Sequence, residues 1–492
     1  MDLSAYEPLF YPRTLAVIGA SDSFMKFGGM FLRTILNHGY TGKIYPVNPK
    51  GGTIQGLTAY PSIEALPGPV DLAVVTVPAA QTLAAAAACG RKGVRGLEVL
   101  TAGFREIGPE GAALERELVE IARSCGMRVI GPNGFGVYTP AVGLTLMPGV
   151  DFSRESGPVG FISQSGGGAC DVAYMGAGRG VRFSTMVSYG NGADLEAAEL
   201  LRYFEADPRT EVVGAYLEGV RDGREFFAAL KSCAARKPVV VLKGGRGEMG
   251  NRGTMGHTGS LAGTQSGWKA ALASAGATAA EDGPDLVDCL MAFCCLPGFR
   301  GEGAGVLSGG GLRCVEALDW ASAYGFTAPL LRPETEARIR ALLPPAGSRS
   351  GNPVDLANPV MAPQVIVPAM GALAEEPEID FLVLYQMLFY LGNETRRMGG
   401  VRLEYHSRLA AAAVELRRRT GKPLIAVLPE IGSDPALWES ERGRIEARAH
   451  YTRNGIPCFA GSRAAFSTLR RVADYYRGRE ARSREQGERG KE

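Results

Sequence analysis

The sequence predicts an α/β protein made of three tandem doubly wound domains. Apolar runs of strand length alternate with stretches that can be helical, from residues 13–18 near the start to 456–458 near the end. Many of these runs stop at glycine, proline or asparagine, residues that turn a buried strand into its crossover. Length sets the number: 492 residues exceed one ordinary core, so two to four domains are expected.

In the first unit, residues 13–18 form a buried strand, followed by Gly19-Ala20-Ser21, then Lys26, Gly28 and Gly29, and a helix over about 30–38. A second strand, 43–47, ends at Asn48-Pro49-Lys50, and a third apolar run, 72–77, ends at Pro78. A helix, a strand over 97–101, a helix over about 111–125 and a strand over 128–130 lead to Gly131-Pro132-Asn133. A dinucleotide fold would carry a second glycine where Ser21 stands, and Asp or Glu after the second strand for the ribose diol. Asn48-Pro49-Lys50 stands there instead, and a lysine suits a phosphate better. The sheet reads as a nucleotide-like binder ill-suited to NAD.

The second unit starts near Gly157 with a strand over 159–162. Ser163-Gln164-Ser165-Gly166-Gly167-Gly168 then opens a helix, which offers free N–H groups and hydroxyls at a positive helix end. By itself that motif is also what a tight strand-to-helix turn looks like. Strands follow at 183–187 and 212–217, the latter ending at Glu218. The next strand, 239–242, leads through a glycine-rich connection, 243–247, to Met255-Gly256-His257-Thr258-Gly259-Ser260-Leu261-Ala262-Gly263 and a helix over 265–275. His257 therefore belongs on a glycine-flanked loop at the carboxyl edge of a parallel sheet, where such scaffolds place chemistry. A neutral imidazole is a nucleophile at neutral pH, and small neighbours let a large group reach it. Glu218 ends on the same edge, where a carboxylate can accept an imidazole N–H and fix its tautomer. The bland alternatives are a loop histidine without a role and a surface carboxylate.

The third unit begins near Gly303, with a strand over 305–307 entering Ser308-Gly309-Gly310-Gly311. A Pro/Gly/Ser-rich crossing, 344–351, precedes Asn352-Pro353-Val354-Asp355-Leu356, and strands recur at 381–385, 424–428 and 456–458. The tail, 477–492, is dense in Arg, Glu and Lys without an apolar stripe, so a frayed helix or disorder is expected.

Composition narrows the function classes. Hydrophobic residues make up 46% and charged residues 21%, and the net charge of +2 is too near neutral for broad nucleic-acid binding. No apolar run reaches membrane-spanning length, and residues 1–9 lack the basic start of a secretory leader. Nine cysteines without a C-x-x-C pair point to a reduced, cytoplasmic setting. No metal-ligand pattern such as H-E-x-x-H or an EF-hand is present, nor a G-x-x-x-x-G-K-[ST] loop.

In their order the motifs resemble the alpha subunit of the ADP-forming (NDP-forming) acyl-CoA synthetases, relatives of succinyl-CoA synthetase. The likeness runs from about Leu9 to Tyr476. It includes Ala16-Val17-Ile18-Gly19-Ala20-Ser21, Lys43-Ile44-Tyr45-Pro46-Val47-Asn48-Pro49-Lys50, Ser163-Gln164-Ser165-Gly166, Tyr216-Leu217-Glu218-Gly219, Gly256-His257-Thr258-Gly259-Ser260-Leu261-Ala262-Gly263 and Asn352-Pro353-Val354-Asp355.

The resemblance implies a Rossmann-like CoA-binding domain over 1–140, then two flavodoxin-like domains over 141–298 and 299–477, then a charged tail over 478–492. It implies a reversible reaction, acyl-CoA + ADP + phosphate giving carboxylic acid + CoA + ATP, through an acyl phosphate and a phosphohistidine. His257 would take the phosphoryl group and Glu218 would orient it. Coenzyme A would contact Gly19, Ser21, Lys26, Lys50, Val77, Pro78 and Asn133, while Ser163, Ser165, Gly166 and Gly167 would hold phosphate. No stretch stands out as an ATP-grasp nucleotide site, so a separate ATP-grasp beta subunit holding ATP/ADP and Mg²⁺, hence a hetero-oligomer, is expected.

Three motifs depart from the family pattern. Gly134-Phe135-Gly136 stands where Cys commonly follows Gly-Pro-Asn, Gly190-Asn191-Gly192-Ala193-Asp194 where Gly-Asn-Lys-Ala-Asp is common, and Ser308-Gly309-Gly310-Gly311-Leu312 where Gly-Gly-Pro-Gly is usual. They bear on acyl specificity and leave His257 and Glu218 in place. The competing readings are a non-catalytic CoA- or acyl-CoA-binding regulator and a nicotinamide oxidoreductase. The end of the second strand argues against the last.

Overall fold

The computed structural model describes residues 2–149, 152–250, 265–359, 362–388, 403–430 and 434–489. In its first sheet, β1 (Thr14–Ile18) is flanked by β2 (Lys43–Val47) on one side. A short antiparallel hairpin of β3 (Gly52–Ile54) and β4 (Leu57–Ala59) follows β2. The chain then crosses to the other side of β1 for β5 (Leu72–Val75), β6 (Gly96–Val99) and β7 (Arg128–Ile130). All five sheet strands are parallel, in the order β2-β1-β5-β6-β7. Every residue of β5 is buried, as a strand covered by helices on both faces requires. Because the chain leaves β1 in one direction and returns on the other side, the crevice at the carboxyl ends of β1 and β5 is a topological switch point.

The second sheet has seven strands, β8 (Gly136–Thr139), β9 (Leu144–Thr145), β10 (Ser156–Ser163), β11 (Phe183–Ser188), β12 (Val212–Leu217), β13 (Val239–Lys243) and β14 (Thr278–Ala280). Their order is β14-β13-β12-β10-β11-β8-β9, with β10 to β14 parallel and β8 antiparallel to β11 and β9. The sequence places a domain junction between 140 and 141. In the structure β8 already belongs to the second sheet, because its pairing with β11 is made across the sequence and is invisible to local pattern. The switch point here lies between β10 and β12, with Ser163 opposite Tyr216 in register.

These two sheets share one apolar core, in which Leu15, Val17 and Val74 cluster with Ile162, Val187 and Tyr189. A polar seam runs beside it. Arg128 holds Asp194 at 2.8 Å and Glu199 at 2.7 Å, and Tyr6 donates its hydroxyl to Glu199. Residues 1–177 and 181–286 accordingly form one compact unit, and 287–492 with 178–180 a second.

In the second unit, β15 (Ala304–Ser308), β16 (Val354–Asp355), β17 (Phe381–Tyr385), β18 (Leu424–Val427) and β19 (Cys458–Phe459) form a parallel sheet in the order β16-β15-β17-β18-β19. Its core gathers Leu307, Val354, Leu382, Leu384 and Ala426 with Tyr451. The final helix, Ser462–Arg489, runs on into the stretch set apart as a charged tail. Pairs one turn apart support it there, such as Arg484 with Glu480 at 2.5 Å. Among the described residues no helix is long and apolar enough to cross a membrane.

Candidate functional site

The first switch-point crevice is shaped by close backbone approach. Gly19 leaves β1 with φ +89°, a left-handed conformation that favours glycine. A Cβ on Gly28 would lie 2.0 Å from the Gly19 carbonyl oxygen, so the helix Phe27–His38 seats its first turn directly on the end of β1. The loop between them is tied to the neighbouring strand end. Asn48 donates its side-chain amide to the Ala20 carbonyl at 2.9 Å and accepts the Lys50 N–H at 3.0 Å. Gln55 donates to the carbonyls of Ser21, at 3.0 Å, and Gly29, at 2.8 Å. Ser21 Oγ accepts the Ser23 N–H at 3.1 Å. Lys26, the residue before this helix, is exposed, and so is Lys50 after the Asn48 turn. On the other wall, the Val77 carbonyl accepts the Thr101 hydroxyl at 2.7 Å, and Pro78 leads into the helix Ala79–Lys92. Gly19, Ser21, Lys26, Lys50, Val77 and Pro78 thus gather at one crevice. Asn133, at φ +59°, lies at the exit of β7, where its amide meets Asn191 Oδ1 at 3.4 Å.

The second crevice is built from the ends of β10, β12 and β13. Gln164 is buried directly after β10, and its amide oxygen accepts the N–H groups of Glu218 and, at 2.9 Å, of Gly219. It thereby clamps the turn that aims Glu218. Tyr216 and Glu218 are two residues apart at a strand end, so they share a face, and the Tyr216 hydroxyl donates to Glu218 Oε1 at 3.2 Å. Glu218 is only 4% exposed and is therefore no surface carboxylate. A Cβ on Gly244 would lie 2.5 Å from the Tyr216 hydroxyl, so β13 must leave the sheet through a glycine to pass beneath this pair. Burial pushes the Tyr216 phenol up to about 12, and the Glu218 charge adds to that. Lys243, 6% exposed, has its ammonium 5.3 Å from the Trp268 ring centre and donates to the Gly244 carbonyl. Burial holds Lys243 below the usual lysine range, against the pull of Glu218.

Opposite Glu218 lies the turn into the helix Gly166–Gly178. Ser163 Oγ donates to the Ser165 carbonyl at 2.7 Å and accepts the Ser165 N–H at 3.1 Å, while Ser165 Oγ accepts the Gly168 N–H at 3.1 Å. Both hydroxyls therefore shape the turn. The first N–H groups of the helix, on Gly166 and Gly167, have no partner within the helix, and a side chain on Gly167 would meet open space. Phe135 lies against Gly166, where a Cβ would come within 2.7 Å of its ring.

His257 belongs to residues 251–264, outside the described residues. The flanking elements are in place: β13 ends at Lys243 on the Glu218 edge, and a helix resumes over Gln265–Ala275. Sequence reasoning assigned no role to Gln55, Gln164, Tyr216 or Lys243. Tyr216 had a usable signal in its spacing from Glu218, and Lys243 in being the charge that closes the apolar run 239–242. The amide clamps had none, because they join strand ends far apart in sequence. Among the described residues no three His, Cys, Asp or Glu side chains are grouped closely enough to hold a metal ion.

Residues 13–140 match the CoA binding domain, and 156–293 the succinyl-CoA ligase like flavodoxin domain. The chain is 38% identical over 380 residues to the ADP-forming acetate–CoA ligase I of Archaeoglobus fulgidus, a match covering 77% of this chain and 54% of that protein. It is 33% identical over 450 residues to the alpha subunit of the ADP-forming acetate–CoA ligase II of Pyrococcus furiosus, covering 92% of this chain and 93% of that subunit. The solved acetyl-coenzyme A synthetase 1 of Ca. Korarchaeum cryptofilum, in complex with phosphate and ADP, superposes with a TM-score of 0.80 at 31% identity, covering 96% of this chain and 97% of that one. The chain therefore belongs to the ADP-forming acetate–CoA ligase family and corresponds to its alpha subunits.

Proposed function

We propose that the chain is the alpha component of an acid–CoA ligase that interconverts acyl-CoA + ADP + phosphate and carboxylic acid + CoA + ATP. The observation that carries this reading is the second crevice. A buried carboxylate, Glu218, is clamped by Gln164 and Tyr216 opposite an open helix start, at the edge from which β13 leads toward His257. Coenzyme A is assigned to the first crevice, with Gly19, Ser21, Lys26, Lys50, Val77 and Pro78 around it and Asn133 farther along the same sheet edge, at the exit of β7. Its phosphates suit the helix start at Phe27 and the two exposed lysines.

In the forward direction phosphate, held by the Gly166 and Gly167 N–H groups with Ser163 and Ser165 shaping their turn, attacks the thioester carbonyl. An acyl phosphate forms and CoA leaves as the thiolate, to be protonated. The His257 imidazole then attacks phosphorus, and the carboxylate leaves. Glu218 accepts the other imidazole N–H, which fixes the tautomer and stabilises the phosphorylated ring. Phosphoryl transfer needs positioning and charge neutralisation, and near the nucleotide these come mostly from Mg²⁺ and cations. We assign ADP and Mg²⁺ to an ATP-grasp beta subunit in a hetero-oligomer. The alpha-subunit name of the P. furiosus relative and the 54% coverage of the A. fulgidus ligase support a second component. A cytoplasmic setting belongs to the same proposal and rests on the nine cysteines, which stay thiols in a reducing compartment.

The test uses the acyl phosphate half-reaction, in which no nucleotide is consumed. Wild-type chain and His257→Ala are incubated with acetyl phosphate and examined by intact-mass spectrometry. One acid-labile phosphoryl group on wild type and none on the variant is expected. No label on wild type with acetyl phosphate and none with ATP, Mg²⁺ and a beta subunit active on a relative overturns the ligase reading and leaves a CoA-binding protein without turnover.

A further inference from the structure

The two crevices are joined by aromatic rings. Phe27, at the start of the helix over the first crevice, meets Phe31 edge-on at 6.1 Å, and Phe31 meets Phe135 edge-on at 6.2 Å. Phe31 is buried, and Phe135 is half-buried with its ring against Gly166, the first residue of the phosphate helix. The backbone N–H of Phe135 donates to the buried Ser188 hydroxyl at 3.1 Å, and Phe31 packs behind the ring, so Phe135 is held from two sides. It stands two residues from Asn133, on the connection between the CoA crevice and the phosphate turn.

An acyl group passing from CoA to phosphate has its carbonyl carbon at that turn, and the rest of the group must lie close by. From this placement we propose that Phe135 is the wall of the acyl pocket and that it selects apolar monocarboxylic acids over dicarboxylic ones. The inference rests on the ligase reading above and adds to it the substrate class and a specificity residue. An alkyl or aryl chain gains by covering a phenyl face. A second carboxylate laid on that face loses water, finds no donor on the ring and meets the negative side of its quadrupole. Contacts of this size discriminate by roughly ten- to two-hundredfold.

The experiment is calorimetric binding of CoA, butyryl-CoA and succinyl-CoA to the full chain. Each acyl-CoA affinity is expressed relative to CoA in the same variant, so that a general loss of CoA affinity or of folded protein cancels. Wild type is expected to favour butyryl-CoA over succinyl-CoA by about tenfold or more. Phe135→Ala is expected to bring that ratio close to one, while Phe135→Leu, which keeps an apolar wall, retains most of it. If wild type binds CoA but does not discriminate, or if Phe135→Ala keeps the wild-type ratio, the wall assignment is wrong while the ligase reading stands. If wild type binds neither CoA nor either of the two thioesters, the CoA crevice and the inference built on it fall together.

Discussion

Replacing Glu98 is expected to stabilise the first unit by an amount that grows with pH. Glu98 lies in β6 between Leu97 and Val99 and is 1% exposed. Among the described residues neither of its carboxyl oxygens has a hydrogen-bond partner. Its Oε1 would be 1.1 Å from a Cβ on Gly136, so the carboxyl is pressed against backbone where only glycine fits. Burial holds its pKa well above the usual carboxylate range. An unpartnered buried polar group costs about 1–3 kcal/mol even when neutral. Glu98→Met keeps the length and removes the oxygens. Above the ordinary carboxyl pKa of about 4.3 the unfolded chain releases the proton while the native chain keeps it. Folding then takes up a proton, so wild-type stability from this group is full below that pH and falls by about 1.4 kcal/mol per pH unit until the raised native pKa is passed. The variant has no such slope. A unit of about 280 residues unfolds with an entropy that converts each kcal/mol to about 2 °C. Thermal unfolding of the unit from about pH 5 to about pH 8 should therefore place Glu98→Met roughly 2–5 °C above wild type at the acid end, with the gap widening by about 2 °C per pH unit. Glu98→Gln should lose the slope but keep a polar cost. A gap that does not change with pH, or a Met variant less stable than wild type at neutral pH, refutes the reasoning, since either means that the native carboxyl is ionised and paired.

Gly28→Ala puts a Cβ 2.0 Å from the Gly19 carbonyl. Overpacking of that kind costs about 1–3 kcal/mol, and CoA affinity by calorimetry is expected to fall at least about tenfold; unchanged affinity would place CoA elsewhere. Among the described residues, Arg128→Met leaves Asp194, whose side chain is 1% exposed, with Arg123 as its remaining ion-pair partner at 3.0 Å. Breaking a buried pair costs about 3–5 kcal/mol, so the first unit should melt roughly 5–9 °C lower at neutral pH. Burial alone would raise Asp194, but Arg128 and the Val129 N–H outweigh it and hold its pKa below the usual range. Wild type therefore loses this contribution as pH falls through that pKa. The variant's deficit should shrink in acid, and a deficit constant with pH counts against the pairing.

The sequence by itself was enough for the alternation of strand and helix, because burial in a parallel sheet demands unbroken apolar runs such as Val239–Leu242 and a turn residue after each. The same local pattern put Ser163 and Glu218 at strand ends. Strand order, however, comes from pairings between distant segments. Only the tertiary structure set Ser163 opposite Tyr216, drew β8 into the second sheet and so made their shared edge a crevice. The clamps that aim the site, Gln164 on Glu218 and Asn48 on Ala20, join residues 54 and 28 positions apart. No composition or periodicity encodes such a contact. Glu98 shows the same limit from the other side: in sequence it is one charge in a strand, and its cost exists only because a folded sheet and the Gly136 backbone close over it. Side-chain chemistry is local and can be read along the chain, whereas desolvation and register are properties of packing and appear only when the chain is folded.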